Sequence, residues 1–149
     1  MINSLDAITG VILAGGRAER MGGRDKGLLP LAGKPLISYG IRRLQSQVAT
    51  LLISANRNLE IYQQFGYPVI RDNNSNFQGP LAGILAALQV AKTPYLLTIP
   101  CDSPLLPFDY VQRMQVALEQ QQTTISVRYS DGYWQPVFTL LSVHLQNDL

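Results

Sequence analysis

Residues Val11–Pro30 read VILAGGRAERMGGRDKGLLP, an apolar run that breaks into a loop of glycines and cations. Gly15, Gly16, Gly22, Gly23 and Gly27 are interleaved with Arg17, Arg20, Arg24 and Lys26. Glycine lets backbone N–H groups approach a ligand closely, and the cations match the charge of a polyphosphate. Such a loop directly after a buried strand reads as a nucleotide-phosphate cradle. The alternative is a basic surface loop with glycines at its turns; the density of both residue types in one short span speaks against it. The spacing excludes two familiar cradles. There is no G-x-x-x-x-G-K-[ST] and no G-x-G-x-x-G, so this is neither a P-loop nor the dinucleotide fingerprint.

Working outward, apolar runs alternate with helical patterns. Ile8–Leu13 lacks polar alternation and reads as a strand buried on both faces. Pro35 opens a helix with Ile37, Ile41, Leu44 and Val48 on one face. Leu51–Ser54 is a second strand, a short helix follows over Leu59–Phe65, and Pro68–Ile70 is a third strand. Pro80 suits a first helical position before the stripe Leu81, Ile84, Leu85 and Leu88. Tyr95–Ile99 is a fourth strand, and a helix with Val111, Met114 and Leu118 follows Pro107. Thr124–Tyr129 and Tyr133–Thr139 then form a hairpin about Asp131–Gly132. The tail from Leu140 reads as the start of another helix. The pattern predicts one α/β domain over residues 1–149: a three-layer α/β/α fold with a mostly parallel, Rossmann-like sheet and a C-terminal hairpin.

Composition narrows the function. The chain has 149 residues, enough for one sizeable core, with 46% apolar and 15% charged residues. A net charge of +2 is too small to imply nucleic acid or an anionic membrane as partner. The single cysteine, Cys101, fits a reducing compartment. With no long apolar span and no secretory pattern at MINSLDAITG, the expectation is a cytoplasmic protein.

In open α/β sheets ligands bind beyond the carboxyl ends of the strands. Polar clusters fall at four such ends: Ala14–Gly15–Gly16, Ser54–Ala55–Asn56–Arg57, Arg71–Asp72 and Pro100–Cys101–Asp102. Asp102 is the candidate ligand for a hard cation such as Mg²⁺; it could instead cap an Asx turn at Asp102–Ser103–Pro104. Asp72 is read equally as a ligand contact and as a turn former. Lys26 and Arg20 suit phosphate oxygens, Arg20 as a bidentate fork, whereas most lysines are simply solvated. Asp25 could pair with either cation and hold the loop. Gln78–Gly83 begins a helix whose N-terminus favours an anion, or merely packs on the sheet. Cys101 reads as an apolar filler, His144 as incidental, and Trp134 and the tyrosines as core and rim packing.

The loop LAGGRAERMGGRDKGLLPLAGKPL strongly resembles the signature of molybdenum cofactor guanylyltransferases, and the resemblance continues through SANRNLEIYQQFGYPVIRD, FQGPLAGILAAL and PCDSPLLP. It covers essentially the whole chain. Sugar and isoprenoid nucleotidyltransferases tend to carry a Pro-Lys pair where this chain has Gly23–Arg24–Asp25–Lys26. The related cytidylyltransferase acting on the same pterin usually opens its loop with A-A-G, where this chain has Ala14–Gly15–Gly16.

The resemblance implies transfer of GMP from GTP to molybdopterin or its molybdenum form, with Mg²⁺ as cofactor and molybdoenzymes or their chaperones as recipients. It implies nucleotide contacts from Leu13, Ala14, Gly15, Gly16, Gly22, Lys26, Ser54, Asp72, Gly83 and Asp102. Lys26, Arg20 and Asp102 would carry the chemistry, with Asp102 also holding the metal. Two departures stand out. Ser54 occupies a position where the family often has asparagine, a shorter reach toward base or ribose. The family pattern also continues past Leu149 with a further strand and helix bearing an Asn-x-Asn-Thr-Pro-like segment on the pterin side. The alternatives are the cytidylyltransferase and a GTP-binding relative without catalysis.

Overall fold

A computed structural model describes residues 2–15, 23–72 and 79–148. The first strand is β1 (Ile8–Leu13), preceded by the single helical turn α1 (Ser4–Ala7). A 3-10 turn over Lys26–Leu28 leads into a small antiparallel pair, β2 (Pro30–Leu31) and β3 (Lys34–Pro35), which the sequence pattern had not suggested. Then follow α2 (Leu36–Leu44), β4 (Thr50–Ser54), α3 (Leu59–Gln63), β5 (Val69–Ile70), α4 (Pro80–Val90), β6 (Tyr95–Pro100) and α5 (Tyr110–Gln120). The hairpin is β7 (Ile125–Ser130) and β8 (Tyr133–Ser142).

The main sheet has the order β5-β4-β1-β6-β8-β7. The pairs β4–β5, β1–β4 and β1–β6 are parallel, whereas β8 joins β6 and β7 antiparallel. Alternation along the strands feeds two cores. Ile8 and Ile12 of β1, Leu51 and Ile53 of β4, and Leu97 and Ile99 of β6 pack under α2, α3 and α5. Val11, Leu52 and Leu96 pack on the opposite face against Ile84, Ala87 and Leu88 of α4. The parallel strands are apolar on both faces because both faces are covered. Three layers result, as the pattern predicts.

Backbone choices hold the connections. Pro80 starts α4 directly after Gly79, whose φ of 78° suits glycine. Asp131 and Gly132 take φ values of 54° and 84°, both positive as the tightest hairpin turn requires.

One expectation is corrected. Leu140 does not open a helix: β8 runs on to Ser142, pairing Leu140 and Leu141 with β6, and a 3-10 turn covers Val143–Asp148. Aliphatic residues buried on a sheet face and on a helix stripe look alike over so short a run. Among the aromatics read as core and rim packing, Trp134 is 68% exposed, and Tyr129 and Tyr133 are also exposed. Tyr62 and Tyr110 are the buried tyrosines, and burial pushes both phenols above their ordinary pKa.

Ile12 is fully buried at the centre of the sheet. Ile12→Ala should cost about 2–5 kcal/mol in urea denaturation, whereas Leu105→Ala, at an exposed site, should stay within about 0.5 kcal/mol. Equal losses would contradict this assignment of the core.

Candidate active site at the carboxyl ends of the parallel strands

From β1 the chain moves outward to β4 and β5, then returns to β6 on the other flank of β1. This reversal opens a crevice between the carboxyl ends of β1 and β6, the general ligand position of open α/β sheets. Register brings the strand ends level: Leu13 lies opposite both Ser54 and Pro100. The ladder continues past the strands, with Ala14 N–H donating to the Ser54 carbonyl at 2.7 Å and Cys101 N–H to the Leu13 carbonyl at 3.1 Å.

A cavity of about 230 Å³ fills that crevice. The end of β1 supplies Leu13, Ala14 and Gly15, β4 supplies Ser54, and the segment after β5 supplies Asp72. Gly79, Pro80 and Gly83 enter from the start of α4, Lys26 from the 3-10 turn, and Cys101 and Asp102 from the end of β6. Thus Leu13, Ala14, Gly15, Lys26, Ser54, Asp72, Gly83 and Asp102, picked from sequence, line one space. Gly16, Arg20 and Gly22 lie outside the described residues.

Close approach explains the small residues. A Cβ on Gly83 would stand 2.9 Å from Ser54 Oγ and 3.0 Å from a Leu13 methyl. One on Gly15 would meet Asn56 Nδ2 at 3.1 Å. The backbone of β1 and α4 therefore forms part of the cavity wall where side chains would otherwise fill it.

The charged groups are arranged in pairs. Lys26 Nζ stands 3.8 Å from Asp102 Oδ2, both side chains roughly half exposed at 44% and 43%. A pair so exposed holds itself together weakly, so each partner stays available to a ligand. Asp72 is more firmly held: Asn56 Nδ2 donates to its Oδ2 at 2.7 Å, and its own N–H donates to Asn56 Oδ1 at 3.2 Å. Asn56 thus fixes Asp72 at the cavity wall, a role that the sequence reading left unassigned. Arg57, from the same cluster, turns away to donate from Nη1 to the Gly23 carbonyl at 2.7 Å. Val137 of β8 also lines the cavity, which the sequence had not suggested.

Residues 10–149 match the family described as the MobA-like NTP transferase domain. A molybdenum cofactor guanylyltransferase from Polynucleobacter asymbioticus is 49% identical over 150 residues, covering 98% of this chain and 75% of the relative. The chain belongs to the molybdenum cofactor guanylyltransferase family. A relative of the same name from Shewanella frigidimarina is 50% identical over 138 residues, covering 93% of this chain and 70% of its own length. Among solved structures, molybdopterin-guanine dinucleotide biosynthesis protein A from Archaeoglobus fulgidus superposes with a TM-score of 0.75 at 17% identity. That match covers 94% of this chain and 70% of the other, and it shows the same fold. Its place at the reversal of strand order makes the crevice, rather than the grooves elsewhere on the surface, the candidate active site. No helix among the described residues is long and apolar enough to cross a membrane.

Cys101 sits beside Asp102 yet is buried, and burial, reinforced by Asp102 and Asp25, pushes its thiol up to about 12. It packs as a small apolar group, as the sequence suggests. A raised thiol pKa leaves the neutral form in place below that value, and only the thiolate is the nucleophile. Alkylation by iodoacetamide at pH 8 should therefore be slow in the folded chain and fast in urea, where the ordinary value of about 8.5 returns. Equal rates in both conditions would contradict this environment.

Proposed function

We propose that this chain transfers GMP from GTP to molybdopterin or its molybdenum form, releasing pyrophosphate. The observation that carries the reading is the convergence of Lys26, Asp72, Asp102 and the turn after β1 on one crevice, in a chain of this family.

The chemistry follows from charge. The terminal phosphate of the pterin attacks the α-phosphorus of GTP; a phosphorus–oxygen bond forms there, and the bond to the bridging oxygen of pyrophosphate breaks. The nucleophile is already an anion, so no general base is needed. Two anionic partners must instead be held together against their repulsion, by positioning and fixed electrostatics. Lys26 supplies a cation at the crevice mouth, free to leave Asp102 for phosphate oxygens. The N-terminus of α4 at Gly79–Pro80 lines the same space and carries partial positive charge. Asp72, held by Asn56, offers a fixed carboxylate to the donors of a nucleoside. Ser54 Oγ lies below Gly83 and offers one hydroxyl at the buried end.

Asp102 fits a divalent cation. Its oxygens are hard donors at the crevice mouth, with the Lys26 ammonium 3.8 Å away. Mg²⁺ needs one or two carboxylates, with substrate phosphates and waters completing its shell. No group of three or more acidic, histidine or cysteine ligands stands together among the described residues, so Asp102 would share the ion with phosphate oxygens. When bound, the ion supplies charge neutralisation on the phosphates. We place the reaction in the cytoplasm, a reading supported by the free cysteine.

The test is pyrophosphate release by the purified chain with GTP, Mg²⁺ and molybdopterin, with CTP as the control. Release with GTP alone supports the proposal, whereas release with CTP alone assigns the cytidylyl reaction. No release with either nucleotide rejects the activity. Lys26→Ala and Asp102→Ala should each lower turnover by roughly 10²–10³-fold, about 2.7–4 kcal/mol, the scale of one preorganised donor. Wild-type turnover in either variant would remove that residue from the mechanism.

A further inference from the structure

Beside Lys26, at the crevice wall, lies a polar cluster centred on Asp25 that the proposed reaction does not use. The Asp25 carboxylate, only 7% exposed, accepts from the Tyr62 hydroxyl at 2.5 Å and from Asn58 Nδ2 at 3.1 Å. Arg57 Nε stands 3.8 Å from the same carboxylate, while its Nη1 donates to the Gly23 carbonyl. All the donors come from one short stretch, the β4–α3 connection and α3. Asn58 there takes the left-handed conformation with φ 53°, which asparagine tolerates better than most residues.

Gly27 closes the other side. A Cβ on Gly27 would stand 2.5 Å from the Tyr62 hydroxyl and 3.3 Å from its ring. Asp25 and Gly27 therefore clasp the buried phenol, and Lys26, between them, is the residue whose ammonium meets Asp102. A buried carboxylate is costly unless its lone pairs are met by donors, and hydrogen bonds to an ionised group are the stronger kind. Burial, and then the bond to Asp25, pushes the Tyr62 phenol above its ordinary value, so it remains a donor. Lysine is a point charge on a flexible stem, so where its ammonium can reach depends on how firmly its backbone is fixed.

We infer that Tyr62, with Asn58 and Arg57, is a positioning residue: acting through Asp25, it sets where the Lys26 ammonium meets the nucleotide's phosphates. The inference rests on the reading of Lys26 as a phosphate contact, and the experiment separates the two. Tyr62→Phe, Lys26→Ala and the double variant are titrated calorimetrically with GTP and Mg²⁺, and folding is checked by thermal denaturation. The expected result is a roughly tenfold weaker GTP affinity for Tyr62→Phe alone, the scale of one bond to a charged group. On the Lys26→Ala background the same change should cause no further loss. A merely structural role would instead weaken binding equally in both backgrounds. That outcome, or no effect in either, overturns the inference while leaving Lys26 in its role. Wild-type affinity in Lys26→Ala overturns the reading of Lys26, and the inference with it. If Tyr62→Phe does not fold, Asn58→Ala removes one donor from the same carboxylate. Its loss of affinity should likewise vanish on the Lys26→Ala background, and persistence there overturns the inference.

Discussion

Parallel hydrogen bonding on both sides of β1 is the constraint on which the rest of this molecule depends. β4 and β6 are held in register with it, so that Leu13, Ser54 and Pro100 end at one level. Because the chain visits the β4 side first and the β6 side later, β1 and β6 meet at the point where the strand order reverses. The crevice is thus a product of strand order and register. Its walls are then completed by residues two positions past β1, β5 and β6: Gly15, Asp72 and Asp102.

Those residues are useful only if something fixes them, and the molecule uses two different devices. Asp72 is fixed by a side chain from the neighbouring strand end, Asn56, through a reciprocal pair of hydrogen bonds. Lys26 is anchored by its neighbour Asp25, which accepts from Tyr62 and Asn58 and has Arg57 Nε 3.8 Å away, all drawn from the segment after β4. The same segment, Asn56–Tyr62, therefore braces the crevice on two sides. Asp102 has the Lys26 ammonium 3.8 Å away and is roughly half exposed, consistent with a carboxylate meant to meet a ligand. The family name of the close relatives points to transfer of a nucleotide, chemistry that asks for fixed charge more than for a proton acceptor.

The frame of the fold was legible in the sequence because its strands are apolar on both faces and its turns carry Gly, Pro and Asp–Gly. The four polar strand ends were legible for the same reason, since each follows an unmistakable apolar run. What was not legible was lateral. Nothing local to Tyr62 announces that its hydroxyl reaches Asp25, 37 positions away, and the position reads as one more apolar residue on a helix. Asn56 was legible only as a member of a polar strand end, because its partner, Asp72, comes from a different strand. Which aromatics form the core and which the rim was not legible either: Trp134 stands exposed near the hairpin tip, against Tyr129. The short β2–β3 pair, with strands of two residues each, is too brief to leave a pattern.

We propose that the crevice between β1 and β6 holds a guanine nucleotide by its phosphates. The most direct test is a calorimetric titration of the purified chain with GTP and with CTP, each with and without Mg²⁺. GTP should bind in a Mg²⁺-dependent manner, and CTP should not bind. Binding of neither nucleotide would contradict the claim, and preference for CTP would contradict the assignment of the base.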